Sequence, residues 1–131
     1  MGIYSCLGTS LEEVTESLRQ GKSGIVFDEE RKEFGFKSAL TGTVPAPDLK
    51  PFLSRRQRIT IGQETEFAYM ATLEALKNAG LTEEYIKTNE VGIIYGNDSV
   101  SKAVIDATDI VREKKDTTLM GSGSHIVASA A

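Results

Sequence analysis

The stretch from residue 61 to 79 constrains the fold more than any other. Ala68, Ala71, Thr72, Ala75 and Ala79 form a small-residue stripe, flanked by Phe67, Met70, Leu73 and Leu76. That spacing belongs to one long helix. Small side chains on one face let a neighbouring backbone approach closely, so this helix is expected deep in a packed layer. Gly80 is suited to the left-handed position that ends a helix, and Leu81 to fold back on the last turn.

The other elements follow from similar signals. Ser10 and Glu13 are spaced as a capping box ahead of Leu11, Val14 and Leu18, with Gly21 as the stop, which predicts a helix over 11–20. The polar stretch 28–38 alternates poorly. Residues 36–44 are expected to hold one or two short edge strands, punctuated by Gly35 and Gly42. Pro45, Pro47 and Pro51 then forbid regular structure, giving a surface connection. Thr82 is placed to cap a further short turn through residue 85. Residues 91–95, Val-Gly-Ile-Ile-Tyr, form an apolar run bounded by turn residues and predict a strand buried on both faces. Asn97, Asp98 and Ser99 make the next turn and offer helix caps. Val100, Ala103, Val104, Ala107, Ile110 and Val111 predict a last helix over 100–114, with Arg112, Lys114 and Lys115 at the end where the helix dipole favours cations. Helix, long helix, buried strand and helix together read as an α/β layered arrangement.

Composition bounds the function. The chain has 131 residues, a formal net charge of -4 and a single cysteine. This is the length of one domain. A mildly acidic balance argues against a protein that neutralises many phosphates, so no nucleic-acid partner is expected. No apolar run approaches the roughly 20 residues of a membrane span, and no signal peptide is visible at the start. One cysteine permits no internal disulfide and suits the cytoplasm.

Most local motifs resolve into structural roles. Gly21-Lys22-Ser23 echoes the end of a phosphate-binding loop, but Glu16 stands where the earlier glycine is required and a helix precedes it. A helix stop followed by a turn accounts for it better. The turn after the 91–95 run lacks the glycine spacing of a dinucleotide site, and Asp98 would set a carboxylate against a pyrophosphate. Cys6, Ser122 and Ser124 are the candidate nucleophiles, and His125 is the only imidazole. Adjacency of Ser124 and His125 does not make a catalytic pair, and no ligand spacing fits a metal site. No catalytic, metal or cofactor-binding residue is assigned, and no cofactor is expected. The one concentrated basic patch is Ser-Arg-Arg-Gln-Arg at 54–58. Positive charge is unfavourable near a helix N-terminus, so Arg55 and Arg56 break a local rule and point to an acidic partner surface.

Several stretches together resemble the N-terminal region of the β-ketoacyl-(acyl-carrier-protein) synthases. These are GIYSCLGTSLEEVTESLRQGKSGI, FAYMATLEALKNAGL and VGIIYGNDS. Their order and separations are similar to the family's over about residues 2–120. The resemblance implies an α/β, partial thiolase-like layered fold, the opening part of the N-terminal half, with residues 121–131 as a divergent tail. It also implies a decarboxylating Claisen condensation in fatty-acid or polyketide assembly. There a cysteine thiolate takes the acyl chain, a malonyl-carrier donates carbon, two histidines stabilise the oxyanion and a lysine supports the site. The family's nucleophile motif, A-C-(A/S)-(S/T)-G, is absent from this sequence, and Cys6 falls in the N-terminal turn instead.

Carried over residue by residue, the resemblance makes Arg55 and Arg56 contacts for the acidic acyl carrier protein, with Lys114 and Lys115 as a second region. Gly96, Asn97 and Asp98 fall at the turn that lines the family's acyl pocket, where Gly96 matches and the other two depart. The family is usually dimeric, so a homodimer or companion chain is expected. The leading expectation is an N-terminal part of a condensing enzyme, inactive alone. The alternative is a non-catalytic carrier-binding or dimerisation module, and a hydrolase using Ser124 and His125 is a remote third.

Overall fold

The computed structural model describes residues 1–59, 61–96 and 101–115. The element order is α1 (Leu11–Arg19), β1 (Ile25–Phe27), α2 (Glu29–Glu33), β2 (Leu40–Gly42), α3 (Arg55–Arg58), α4 (Gln63–Ala79), α5 (Glu83–Thr88) and α6 (Ser101–Lys114). The chain divides into two compact units, residues 1–45 with 70–82 and residues 46–69 with 83–131.

In the first unit the N-terminal residues run against the alanine face of α4. A side-chain carbon at Gly2 would overlap the Ala71 carbonyl oxygen and lie 2.6 Å from the Ala75 amide nitrogen. Close approach of a backbone is thus what the small residues permit, although α4 itself contains no fully buried residue. The Asn78 amide donates to the Met1 carbonyl at 2.6 Å. Glu74, on the same helical face as Ala71, Ala75 and Asn78, accepts from the Ile3 amide at 2.8 Å and from the Leu11 amide at 2.6 Å.

The second of those bonds completes the start of α1. Leu11 is the first residue of the helix, and its amide has no partner within the helix. Ser10 accepts from the Glu13 amide at 3.2 Å, as the capping pattern requires. Glu13 does not return the bond to Ser10: its carboxylate takes the Thr9 amide at 2.7 Å and the Thr9 hydroxyl at 2.9 Å. Those bonds hold Glu13 below the usual carboxylate range, first through the Thr9 amide and then through its hydroxyl.

Three helices stop the same way. Gly21, Gly35 and Gly80 sit at φ 62°, 77° and 67°, each with the amide after it bonded back to the last turn: Lys22 to Ser17 at 2.9 Å, Phe36 to Arg31 at 3.1 Å and Leu81 to Leu76 at 3.0 Å. These are Schellman endings, for which glycine has no side-chain clash. Helix α2 and strand β1 lie where the sequence reading placed no element. Asp28 caps α2, accepting from the Arg31 amide at 3.1 Å. The β1–β2 ribbon is antiparallel, pairing Ile25 with Gly42, Val26 with Thr41 and Phe27 with Leu40. The Arg31 guanidinium lies 4.6 Å from the centre of the Phe36 ring, and the Lys32 ammonium lies 5.6 Å from that of Phe27, cation–π contacts that tie α2 to its neighbours.

Each unit has one buried apolar side chain among its described residues, Val14 in the first and Leu49 in the second. Leu49 modifies the reading of the proline-rich stretch. No regular element forms there, yet its carbonyl accepts the Phe52 and Leu53 amides at 3.1 and 2.9 Å, so the turn is anchored by a buried residue. The Phe52 ring meets Tyr69 of α4, with centroids 6.3 Å apart.

The expectation of a buried strand at 91–95 is corrected. These residues adopt no strand, and Ile93 and Ile94 are largely exposed. A strand needs a ladder partner for its amides and carbonyls, and β1 and β2 pair only with each other. The Tyr95 hydroxyl donates to the Glu64 carbonyl at 3.4 Å.

Three outcomes are expected from the packing on α4. Glu74→Ala lowers stability by about 1 kcal/mol, the usual scale for loss of a helix cap, measured by denaturant unfolding. Bonds to the Leu11 and then the Ile3 amide hold the Glu74 carboxyl below its ordinary value. Its contribution is therefore present above about pH 4.3, the ordinary glutamate value, and is lost as pH falls through the lower folded value. Glu74→Gln flattens that acid limb. Gly2→Ala forces a side chain into the α4 backbone and is expected to destabilise by about 1–3 kcal/mol; an unchanged melting temperature would refute that contact.

Candidate functional site

The cationic stretch noted in the sequence forms a short helix of its own. Ser54 accepts from the Gln57 amide at 3.4 Å, and Gln57 accepts from the Ser54 amide at 3.0 Å, a reciprocal capping box that fixes the start of α3. Its first turn holds no acidic residue. Arg55 and Arg56 are exposed. Arg58 is half-buried, and its Nε donates to the Leu53 carbonyl at 3.2 Å. From residue 49 to 63 the chain carries Lys50 and these arginines and no carboxylate. Ion pairs among the described residues, Lys87 with Glu83 and Arg112 with Asp109, lie elsewhere. Among the described residues Arg55 and Arg56 have no ion-pair partner, and both are exposed to solvent.

Lys114 and Lys115 are exposed at the end of α6. Lys115 stands at φ 54°, and its amide donates to the Val111 carbonyl at 3.0 Å. Where three other helices end on glycine in the left-handed region, α6 ends on a lysine. Gly96 is exposed, and a side-chain carbon built on it would meet nothing within 4 Å. Asn97 and Asp98 lie outside the described residues, as do Ser122, Ser124 and His125.

Cys6 is half-buried, at the turn closed by the Ser5–Gly8 bridge. Side-chain carbons on Gly24 and Gly42 would come within 2.7 and 3.0 Å of its sulfur. The thiol fills the space those glycines leave, which is a packing role. The groove beside α1 in the first unit is lined by Glu12, Glu13, Glu16 and Glu74 and by Arg19, Lys22 and Lys77. Charges of both signs are mixed there, unlike on α3. Among the described residues no cluster of three metal-ligating side chains occurs, and no helix is long and apolar enough to cross a membrane.

Two features escaped the sequence reading. Glu74 and Asn78 interrupt the alanine face of α4 at helical spacing, a legible signal of polar contacts to whatever lies on that face. Ile59 and Phe52 are 56% and 49% exposed beside the arginines, and nothing in their spacing distinguishes them from core residues.

Comparison with known proteins places this geometry in a family. The family profile described as "Beta-ketoacyl synthase, N-terminal domain" matches residues 1–131. The chain is 34% identical over 98 residues to 3-oxoacyl-[acyl-carrier-protein] synthase 1 of Buchnera aphidicola, covering 74% of this chain and 24% of that protein. It is 30% identical over 132 residues to the Escherichia coli (strain K12) protein of the same name, covering 99% of this chain and 32% of that protein. A crystal structure of a β-ketoacyl synthase from Burkholderia phymatum superposes with a TM-score of 0.72 at 24% identity, over 95% of this chain and 31% of that one. The chain therefore spans about a third or less of the length of these relatives. The fold is that of a thiolase-like condensing enzyme in part, and the chain belongs to the β-ketoacyl synthase family, matching its N-terminal domain.

Proposed function

We propose that this chain is the carrier-receiving part of a β-ketoacyl-(acyl-carrier-protein) synthase of fatty-acid or polyketide assembly. The reaction of the whole protein is the decarboxylating Claisen condensation of acyl thioesters. The contribution of this chain is to dock the acidic acyl carrier protein, through Arg55 and Arg56 on α3 and, at a second point, Lys114 and Lys115. The observation that carries the reading is the exposed, carboxylate-free cationic helix α3 on a chain of this family. Relatives are named for acyl-carrier-protein substrates, which supports the same partner.

The physics suits docking rather than chemistry. The guanidiniums of Arg55 and Arg56 are exposed on a single turn of helix whose first turn holds no acidic residue. A negative partner surface supplies the counter-charge and gains long-range attraction during encounter. Lys115 adds local strain, since a non-glycine residue in the left-handed region is held at a cost of about 1 kcal/mol or more. The turn at Gly96, Asn97 and Asp98 belongs to the same reading as a wall of the acyl pocket. No step of the condensation is assigned to a residue of this chain. The exposed apolar side chains of Ile93 and Ile94 and of the β1–β2 ribbon support an assembly, a homodimer or a companion chain, that covers them. The single cysteine supports a cytoplasmic setting.

Titration of a purified bacterial acyl carrier protein into the full chain tests the docking. Affinity is expected to fall steeply between about 50 and 500 mM salt, as exposed charges are screened. Arg55→Glu/Arg56→Glu is expected to weaken low-salt binding about tenfold or more; undiminished binding would overturn the assignment. Lys115→Gly relieves the left-handed strain and should raise stability by about 1 kcal/mol while weakening carrier binding at low salt. A higher melting temperature with unchanged binding would remove Lys115 from the surface and leave the arginine pair in place.

A further inference from the structure

We propose that the α3 surface has two components, in which Ile59, assisted by Phe52, supplies an apolar contact beside the arginines. It fits a partner face on which aliphatic side chains stand among carboxylates. The inference rests on the carrier-docking reading above and deepens it, because charge alone gives steering and salt dependence but little grip.

Ile59 closes α3, one turn after Arg55, and its amide donates to the Arg55 carbonyl at 3.1 Å. Residues four apart on a helix are surface neighbours, so the isoleucine lies beside the first guanidinium. It is 56% exposed. Phe52 is exposed on the same short stretch, yet its ring is braced at 58° against Tyr69, so its open part is held in place.

The segment beneath is also fixed. Leu49 is buried, its carbonyl takes the Phe52 and Leu53 amides, and Arg58 is tied to the Leu53 carbonyl. A surface already ordered loses little freedom on binding. Isolated exposed apolar side chains are ordinary. Here they border a cationic stretch with no carboxylate from residue 49 to 63, and that charge selects the occupant: an acidic protein surface, not a second copy of this acidic chain. Contact with it would desolvate the isoleucine and phenylalanine between the charge pairs, the arrangement in which an apolar anchor contributes most.

The test measures affinity of the full chain for a purified bacterial acyl carrier protein carrying no acyl group, from low to high salt. Ile59→Ser is expected to weaken binding about fivefold at every salt concentration, the effect of losing roughly half an isoleucine's burial, with the slope of log Kd against log salt unchanged. Ile59→Leu is expected to restore affinity. Phe52→Leu, which keeps an apolar group against Tyr69, is expected to weaken binding by a smaller factor. Unchanged circular-dichroism melting of Ile59→Ser separates a lost contact from a lost fold. Binding of Ile59→Ser within about twofold of the parent at high salt overturns the inference while the arginine effect stands. Loss with Ile59→Ser but none with Arg55→Glu/Arg56→Glu overturns the electrostatic reading instead. Absence of binding by the parent chain removes both.

Discussion

Two backbone amides of the N-terminal region, those of Ile3 and Leu11, converge on one carboxylate, Glu74 of α4. The first unit is organised around that convergence. Without it the first turn of α1 would keep an unpaired donor, and the residues before it would lose a fixed point along α4. The approach is close because Gly2 has no side chain and Ala71 and Ala75 have almost none. Asn78 closes the line by donating to the Met1 carbonyl. Small residues set the distance and polar residues set the register; neither class would place the segment alone.

Helix endings show the same economy and one exception. Glycine ends α1, α2 and α4 in the left-handed region, where a side chain would clash with its own backbone. Lys115 takes that conformation at the end of α6. A helix C-terminus favours a cation through its dipole, which partly offsets the steric strain. At α3 three arginines crowd a single turn that has no acidic residue beside them. The capping box of Ser54 and Gln57 keeps this short helix formed despite them. Like charge concentrated on one turn, with no ion pair to it among the described residues, is what the proposed binding role rests on.

Much of the architecture was legible because its causes are local. Ser10 before an apolar periodicity, glycines after it, and alanines at helical spacing each act within a few residues, and α1, α4 and their endings stand where those signals put them. The cationic patch was legible for the same reason, since adjacent arginines without nearby acids are visible in a string of letters. The short α2 and β1 were not, because a five-residue helix and a three-residue strand carry too little pattern to outweigh their polar surroundings. The partner of Glu13 differs from the expected one because Thr9, one residue earlier, offers both an amide and a hydroxyl.

By itself the sequence determined α1, α4 and α6, the glycine stops of α1 and α4, the charge of the surface and the family, all of which depend on residue type and short-range spacing. Tertiary structure decided which groups satisfy one another across long separations: that Glu74 caps a helix 63 residues away, that Cys6 fills the gap left by Gly24 and Gly42, and that Leu49 is buried inside a proline-rich turn. It also decided against a strand at 91–95. The hydrophobicity of that run is a property of its residues, but a strand is a property of a pair, and β1 and β2 pair only with each other.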